Sequence, residues 1–164
     1  SVLPDLPDAI NGEPFDAVVA TFDSLNYLTE DDFRRTLTAV ESRLRPGGWV
    51  VFDLHTDAMM RFTAGTPVVS GEDDGHRFVI RSDVKAESRT CVTEVEVTRL
   101  SNGETFAERH QQFFHCDTAV RNAITAAGLV WVSATREYTT VPVDSETLRA
   151  TWTARRPPAS EAVQ

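Results

Sequence analysis

The chain has 164 residues, 41% of them hydrophobic and 25% charged, with a formal net charge of −9, a balance that suits one globular domain with a moderate core. That acidity, with no Lys/Arg run or basic stripe to offset it, argues against nucleic acid as a partner. No apolar run approaches the ~20 residues that span a bilayer and no charged-then-apolar leader opens the sequence, so a cytoplasmic protein without membrane contact is the default expectation. Cys91 and Cys116 are too few for a disulfide scaffold and share no ligand spacing with a histidine pair; two reduced thiols and no metal are expected.

Residues 1–14, SVLPDLPDAINGEP, carry three prolines and an Asn11-Gly12 turn signal and read as a loop. Residues 17–22 and 49–54 are Val-rich apolar runs too short for helices, suited to buried strands that are expected over 15–21 and 48–54. Between them Phe33, Leu37, Val40 and Leu44 recur at helical spacing, with Arg34, Arg35, Glu41 and Arg43 mostly off the stripe. Thr29 is a natural N-cap, Glu30, Asp31 and Asp32 complement the helix start, and Pro46-Gly47-Gly48 is expected to stop the helix and reverse the chain. The handedness rule makes this strand–helix–strand unit right-handed and its strands parallel.

Residues 57–62 suit a short helix with Met59, Met60 and Phe62 turned inward. The acidic stretch 71–75, with Glu72, Asp73 and Asp74, reads as a solvated loop, because a hard-metal cage needs more regular ligand spacing. Beyond it HRFVIRSDVK, TCVTEVEVTRL and ETFAERHQQFF alternate with a period of two, and Asn102-Gly103 is a hairpin signal, so three antiparallel strands are expected. The alternation puts Phe106, Glu108, His110 and Phe114 on one face. Asp117 is expected to cap a helix running to about Ala127, with Val120 and Ile124 inward and Gly128 as its stop. LVWVSATREY and LRATWTAR read as the last two strands, and the closing RRPPASEAVQ lacks core residues and is expected to be disordered.

The string FDAVVATFDSLNYL, followed by LRPGG and WVVFDLHT, resembles the fourth strand, following helix and fifth strand of class I S-adenosylmethionine-dependent methyltransferases. The order of the later elements extends the resemblance over nearly the whole chain. It implies an α/β, Rossmann-like methyltransferase sheet, its C-terminal half, in three layers and with an inserted antiparallel β-meander. Residues 1–62 would form the strand–helix–strand part of the core, 63–116 an insertion capping the substrate, 117–156 the last core helix and strands, and 157–164 a tail. S-adenosylmethionine is the implied cofactor. The Gly-rich turn that cradles its methionine end in the family does not occur in this sequence, so this chain alone is expected to bind the cofactor weakly or not at all. The family also pairs the first strand on both sides. Val18 and Val19 are therefore expected on an edge covered by residues missing from this sequence, by another polypeptide, or by a copy of the chain in a homodimer.

Ligands of open α/β sheets sit at the carboxyl ends of the parallel strands, which selects residues 21–27 and 54–57. By the resemblance, Thr21, Phe22, Asp23, Asn26 and Tyr27 line the methionine and methyl end of the cofactor, and Asp5 and Leu6 match a segment near its adenine. Without it, Asp23-Ser24 is a turn and Tyr27-Leu28 is core. His55 ends the second strand and is a candidate base, since a histidine titrates near neutrality; a plain surface histidine is the alternative. His110 is a second catalytic candidate, with a half-exposed sheet histidine as its alternative. FDSL differs from the acid-first Pro-Pro-Tyr/Phe loop of many DNA adenine methyltransferases, which favours a small-molecule acceptor. The expected function is methyl transfer from S-adenosylmethionine to a small-molecule O or N acceptor of secondary metabolism, such as an amino-sugar, phenol or amine. The other expectation is a methyltransferase-like domain without methylation, serving as a binding or assembly module.

Overall fold

In the computed structural model, which describes residues 12–159, β1 (Phe15–Ala20), α1 (Glu30–Arg43) and β2 (Leu44–His55) form the expected parallel unit. Thr29 caps α1, its hydroxyl accepting from the Asp32 amide at 3.2 Å. The helix stops at Arg43, and Leu44 is already extended and wholly buried, so it fills the core from the strand and not from the helix stripe. Pro46-Gly47-Gly48 falls inside the span of β2, at a break in its register with β1 where Leu44 pairs with Phe15 and Trp49 with Ala17, so the expected turn is taken up within the opening of the strand. The glycines permit this. Gly47 has φ +79, and a Cβ on Gly48 would come within 2.9 Å of the Arg45 carbonyl oxygen. Gly47 N–H donates to the carbonyls of Arg156 and Pro157, Arg156 N–H donates to Gly48, and the Arg156 side chain pairs with Glu41 at 2.7 Å. The start of the expected loose tail is thereby tied to β2.

The first sheet has the order β1-β2-β8-β7, with β8 (Arg149–Arg155) antiparallel to both β2 and β7 (Val130–Arg136). Val50, Phe52 and Leu54 of β2 and Ala150, Trp152 and Ala154 of β8 pack against α1 and against α3 (Asp117–Ala126). Phe33 meets Phe52 edge-on at 5.7 Å. Cys116, not Asp117, occupies the N-cap position of α3 without a side-chain bond; Asp117 is in the first turn and pairs with Arg121. On the opposite face Val19 is 63% exposed and Trp49 40%. Among the described residues no helix covers that face and no strand pairs the outer side of β1, so they form two layers and not three.

After β2, α2 (Asp57–Gly65) buries Ala58 but leaves Phe62 exposed, contrary to the expected inward Phe62. The second sheet, order β3-β4-β5-β6, is antiparallel throughout and has four strands where three were expected. They are β3 (Val68–Asp73), β4 (His76–Lys85), β5 (Thr90–Arg99) and β6 (Thr105–Phe113). The additional strand contains Glu72 and Asp73, so the expected acidic loop shrinks to a turn at Asp74-Gly75. A glycine and two acids hide it from propensity reasoning. Gly71 stands opposite Phe78, whose ring would be 2.8 Å from a Cβ there, so the glycine gives that ring its space. Phe114 lies beyond β6 and is buried, whereas Phe106 is exposed; the two do not share a strand face.

Candidate active site

The loop after β1 is held in an unusual conformation. Phe22 (φ 58) and Asp23 (φ 49) are consecutive left-handed residues, neither of them glycine, followed by a 3-10 turn over Ser24–Tyr27. Such residues cost about 1–3 kcal/mol each and persist where the surroundings over-determine them. Here the Phe22 amide donates to the Tyr138 hydroxyl at 3.3 Å, the Asp23 amide to Asp53 Oδ2 at 2.9 Å, and the Asn26 amide to the Asp23 carbonyl at 2.9 Å. Across from it Glu137 (φ 29) and Tyr138 (φ 60), just past β7, form a second left-handed pair, with the Tyr138 amide bonded to Thr151 Oγ1 at 2.8 Å.

The period of two along β2 sends Asp53 and His55 away from α1 and α3, beside Thr151 and Arg149 of β8. Asp53 is completely buried. Arg149 lies among three acids: its Nη2 donates to Asp23 Oδ1 at 3.1 Å, its Nε is 3.3 Å from Asp53 Oδ2, and its Nη1 is 3.6 Å from Glu137 Oε1. Gln112 of β6 donates to Asp23 Oδ2 at 2.6 Å. Asp53 Oδ1 has no hydrogen-bond partner. With three carboxylates to one guanidinium, this corner is electronegative and suits a cationic ligand. His55 places Nε2 3.9 Å from Asp23 Oδ2. Burial lowers the His55 pKa and Arg149 adds to that, against the pull of Asp23 and Asp53, so the imidazole is neutral near pH 7 and able to take a proton.

Asn26 fastens the two sheets together. Fully buried, it accepts from the His55 amide at 3.0 Å and donates to the Phe113 carbonyl at 2.7 Å. Next to it the Tyr27 hydroxyl is 3.1 Å from His110 Nδ1, and His110 Nε2 is 3.2 Å from Glu108 Oε2. Burial, then the charges of Asp23 and Glu108, raise the Tyr27 pKa, so it remains a phenol that can donate to His110.

The structure thus brings Asp23, Asn26, Tyr27, His55 and His110 into one cluster. Thr21 and Phe22 are exposed beside it, and Asp5 and Leu6 lie outside the described residues. Sequence reasoning missed Asp53, Gln112, Tyr138 and Arg149. A lone acid in the apolar run WVVFDL was a usable signal for Asp53; Arg149 and Tyr138 gave none, because only β8's place beside β2 brings them here. Among the described residues no group of three His, Cys, Asp or Glu side chains could hold a metal, and both cysteines are free.

Burial also lowers the pKa of His115, which stacks on Phe33 at 4.7 Å. For both His55 and His115 the folded value lies below the ordinary 6.5, so the unfolded chain binds more protons. Their stabilising contribution is full above about pH 6.5 and is lost as pH falls below it toward the folded values. In thermal unfolding from pH 7.5 to 5, the stability gap between the native chain and His115→Phe is expected to narrow as pH falls. A constant gap would show that His115 does not titrate differently in the two states.

No protein-family model and no curated protein matches the sequence. Solved structures do match. One is an S-adenosylmethionine-dependent methyltransferase from Clostridium acetobutylicum, with a TM-score of 0.82 and 18% identity over 93% of this chain and 64% of that one. Another is the CcbJ methyltransferase from Streptomyces caelestis, with a TM-score of 0.76 and 18% identity over 88% of this chain and 61% of that one. An amino pentose methyltransferase of calicheamicin biosynthesis from Micromonospora echinaspora gives 0.62 and 20% identity over 88% and 59%. The chain spans about three-fifths of the length of these proteins. It has the fold of the class I S-adenosylmethionine-dependent methyltransferases.

Proposed function

We propose that this chain is the catalytic part of an enzyme that transfers a methyl group from S-adenosylmethionine to a small-molecule O or N acceptor. One observation carries the reading: the strained loop after β1, at the carboxyl ends of parallel strands, holds Asp23 against Asp53, Arg149 and Gln112 with a neutral His55 alongside. The residues fit the cofactor, since an electronegative corner with an unpartnered buried carboxylate oxygen suits its ammonium and sulfonium charges. When bound, S-adenosylmethionine supplies an electrophilic methyl group for in-line attack. Asp23 and Asn26 orient the loop beneath it. His55 takes the proton that an amine or hydroxyl acceptor must lose, and His110 is a second base acting through the Tyr27 hydroxyl.

The sheet β3-β6 serves as the roof over this corner, its role as a substrate cap resting on the contacts of Gln112, Phe113 and His110 with the loop. The amino pentose methyltransferase and a sugar N-methyltransferase from Streptoalloteichus among the structural neighbours support an amino-sugar or related amine of secondary metabolism as the acceptor. The exposed edge of β1 is in this reading covered in the whole protein, by further chain or by a second copy.

Calorimetric titration of S-adenosylmethionine into the full-length protein tests the reading. Binding in the micromolar range is expected, weakened about ten- to a hundredfold by Asp23→Asn, the loss of a charge-assisted contact. No binding by the full-length protein would leave the assembly-module reading in its place.

A further inference from the structure

The period of two along β3–β6 sorts the second sheet into two unlike faces. Arg77, Arg81, Asp83, Glu94, Glu96 and Arg109 stand on one of them. The other carries Val69 on β3, Phe78 and Ile80 on β4, Val95 and Val97 on β5 and Phe106 on β6, set side by side across the strands. Such a face ordinarily forms half of a core. Here Val69 and Phe106 are 42% and 49% exposed, the other four are half-buried, and of all the residues in the four strands Cys91 alone is buried. The rest of the described molecule meets this sheet chiefly at α2, against β4, and at the 3-10 turn, against β6. An antiparallel sheet with one apolar face needs that face packed against another layer.

The position of the chain's ends narrows what that layer can be. Phe15, at the start of β1, pairs with Leu44, and the Arg156 amide, just after β8, donates to Gly48, so chain continuing in either direction leaves from beside the first residues of β2. The second sheet follows the other end of β2, beyond His55, and the 12 residues of that strand put about 35 Å between the two ends. Charge narrows it further. A net charge of −9 keeps two copies apart except where they can meet through a neutral surface. The centre of this face is neutral: its charged groups are Arg99 and two acids, Asp73 and Glu108, all on edge strands or at strand ends. The area is large enough. Four strands about 4.8 Å apart and about 30 Å long present roughly 600 Å² per copy, so two copies bury roughly 1,200 Å², the lower end of stable specific interfaces.

We propose that this face is the contact between two copies of the chain, packed sheet on sheet about a two-fold axis. An isologous contact sets the apolar patch against its own equal, and the charged opposite face stays in water. His110 and Gln112, which hold the loop after β1, stand at the inner end of the same face. Assembly therefore also walls the candidate site on its Tyr27 side; that consequence rests on the methyl-transfer reading, and the contact itself does not.

Sedimentation equilibrium of the full-length protein tests the proposal. A monomer–dimer equilibrium with a micromolar or tighter dissociation constant is expected. Val69→Lys combined with Phe106→Lys, at positions exposed in the single copy and so tolerated by its fold, is expected to weaken it at least about a hundredfold, because each copy then brings two lysines into the contact. Glu96→Gln, on the opposite face, and Val19→Lys, on β1, are expected to leave the equilibrium unchanged. In a second measurement Phe106→Cys is expected to react faster with a thiol reagent on dilution, as the dimer parts. Monomer at every soluble concentration would overturn the proposal: slow labelling would then show that further chain covers the face, and fast labelling that it is bare. A dimer that Val19→Lys dissociates and the double lysine variant does not would overturn it too, moving the contact to β1. None of these readings involves S-adenosylmethionine, so a monomer leaves the methyl-transfer reading standing and a protein that binds no cofactor leaves the dimer standing.

Discussion

Replacing Arg149 with Met is expected to destabilise the protein by about 3–5 kcal/mol, the usual penalty for removing one partner of a buried ion pair. Asp53 is wholly buried and Asp23 is mostly so, and Arg149 lies 3.3 and 3.1 Å from their oxygens. Met keeps much of the length and apolar stem of the arginine, so the loss reports the two carboxylates left without a counter-charge more than a cavity. In thermal unfolding the midpoint should fall by about 10 °C or more. Asp53→Asn in the Arg149→Met background should recover part of it, because the uncompensated charge is then removed, and the double-mutant cycle isolates that coupling. A loss below about 1 kcal/mol for Arg149→Met would show that water reaches the pair and screens it.

His55→Gln is expected to lower kcat by about 10²–10⁴-fold, the range for removing a positioned general base. Glutamine keeps the backbone amide that Asn26 accepts from and much of the side-chain volume, so folding and cofactor binding should stay near native. The pH profile separates the roles. With His55 as base the native rate should be flat above its pKa, which burial places below 6.5, and should fall as the imidazole is protonated. The variant should lose that acid limb. A variant that retains the limb and loses less than threefold in kcat would transfer the role to His110 through Tyr27.

The parallel unit was legible because each of its signals is local: Val-rich runs, a stripe at helical spacing and a threonine cap all lie within 42 consecutive residues, 15–56. The start of β2 was not, because Pro46-Gly47-Gly48 carries the composition of a turn while its conformation is set by bonds to Arg156 and Pro157, more than a hundred residues away. β3 was hidden for a related reason, since Gly71 is chosen for the ring of Phe78 across the sheet and not for the strand it sits in. At the candidate site, the clustering of Asp23, Asn26, Tyr27 and His55 could be anticipated from their position at strand ends and from a family resemblance. Arg149, which balances the charge there, could not. Its partners come from the loop after β1, from β2 and from the residue just past β7, and nothing local in LRATWTAR says that the strand it opens will lie between β2 and β7.

The middle position of β8 in the first sheet bears on the order in which the chain is synthesised. β8 is hydrogen-bonded between β2 and β7, yet it follows both in sequence. Until it emerges from the ribosome, β2 and β7 each present an open edge and have no direct contact through backbone pairing. The second sheet has no such wait, because each of its strands pairs with the one just made. The β3-β6 hairpins can therefore form while the core is still open. When β8 inserts, its first residue, Arg149, brings the counter-charge for Asp23 and Asp53. Closure of the sheet and charge neutralisation of the site are then one event, and a nascent chain stalled before β8 would be exposed to edge-to-edge aggregation with its acidic corner uncompensated.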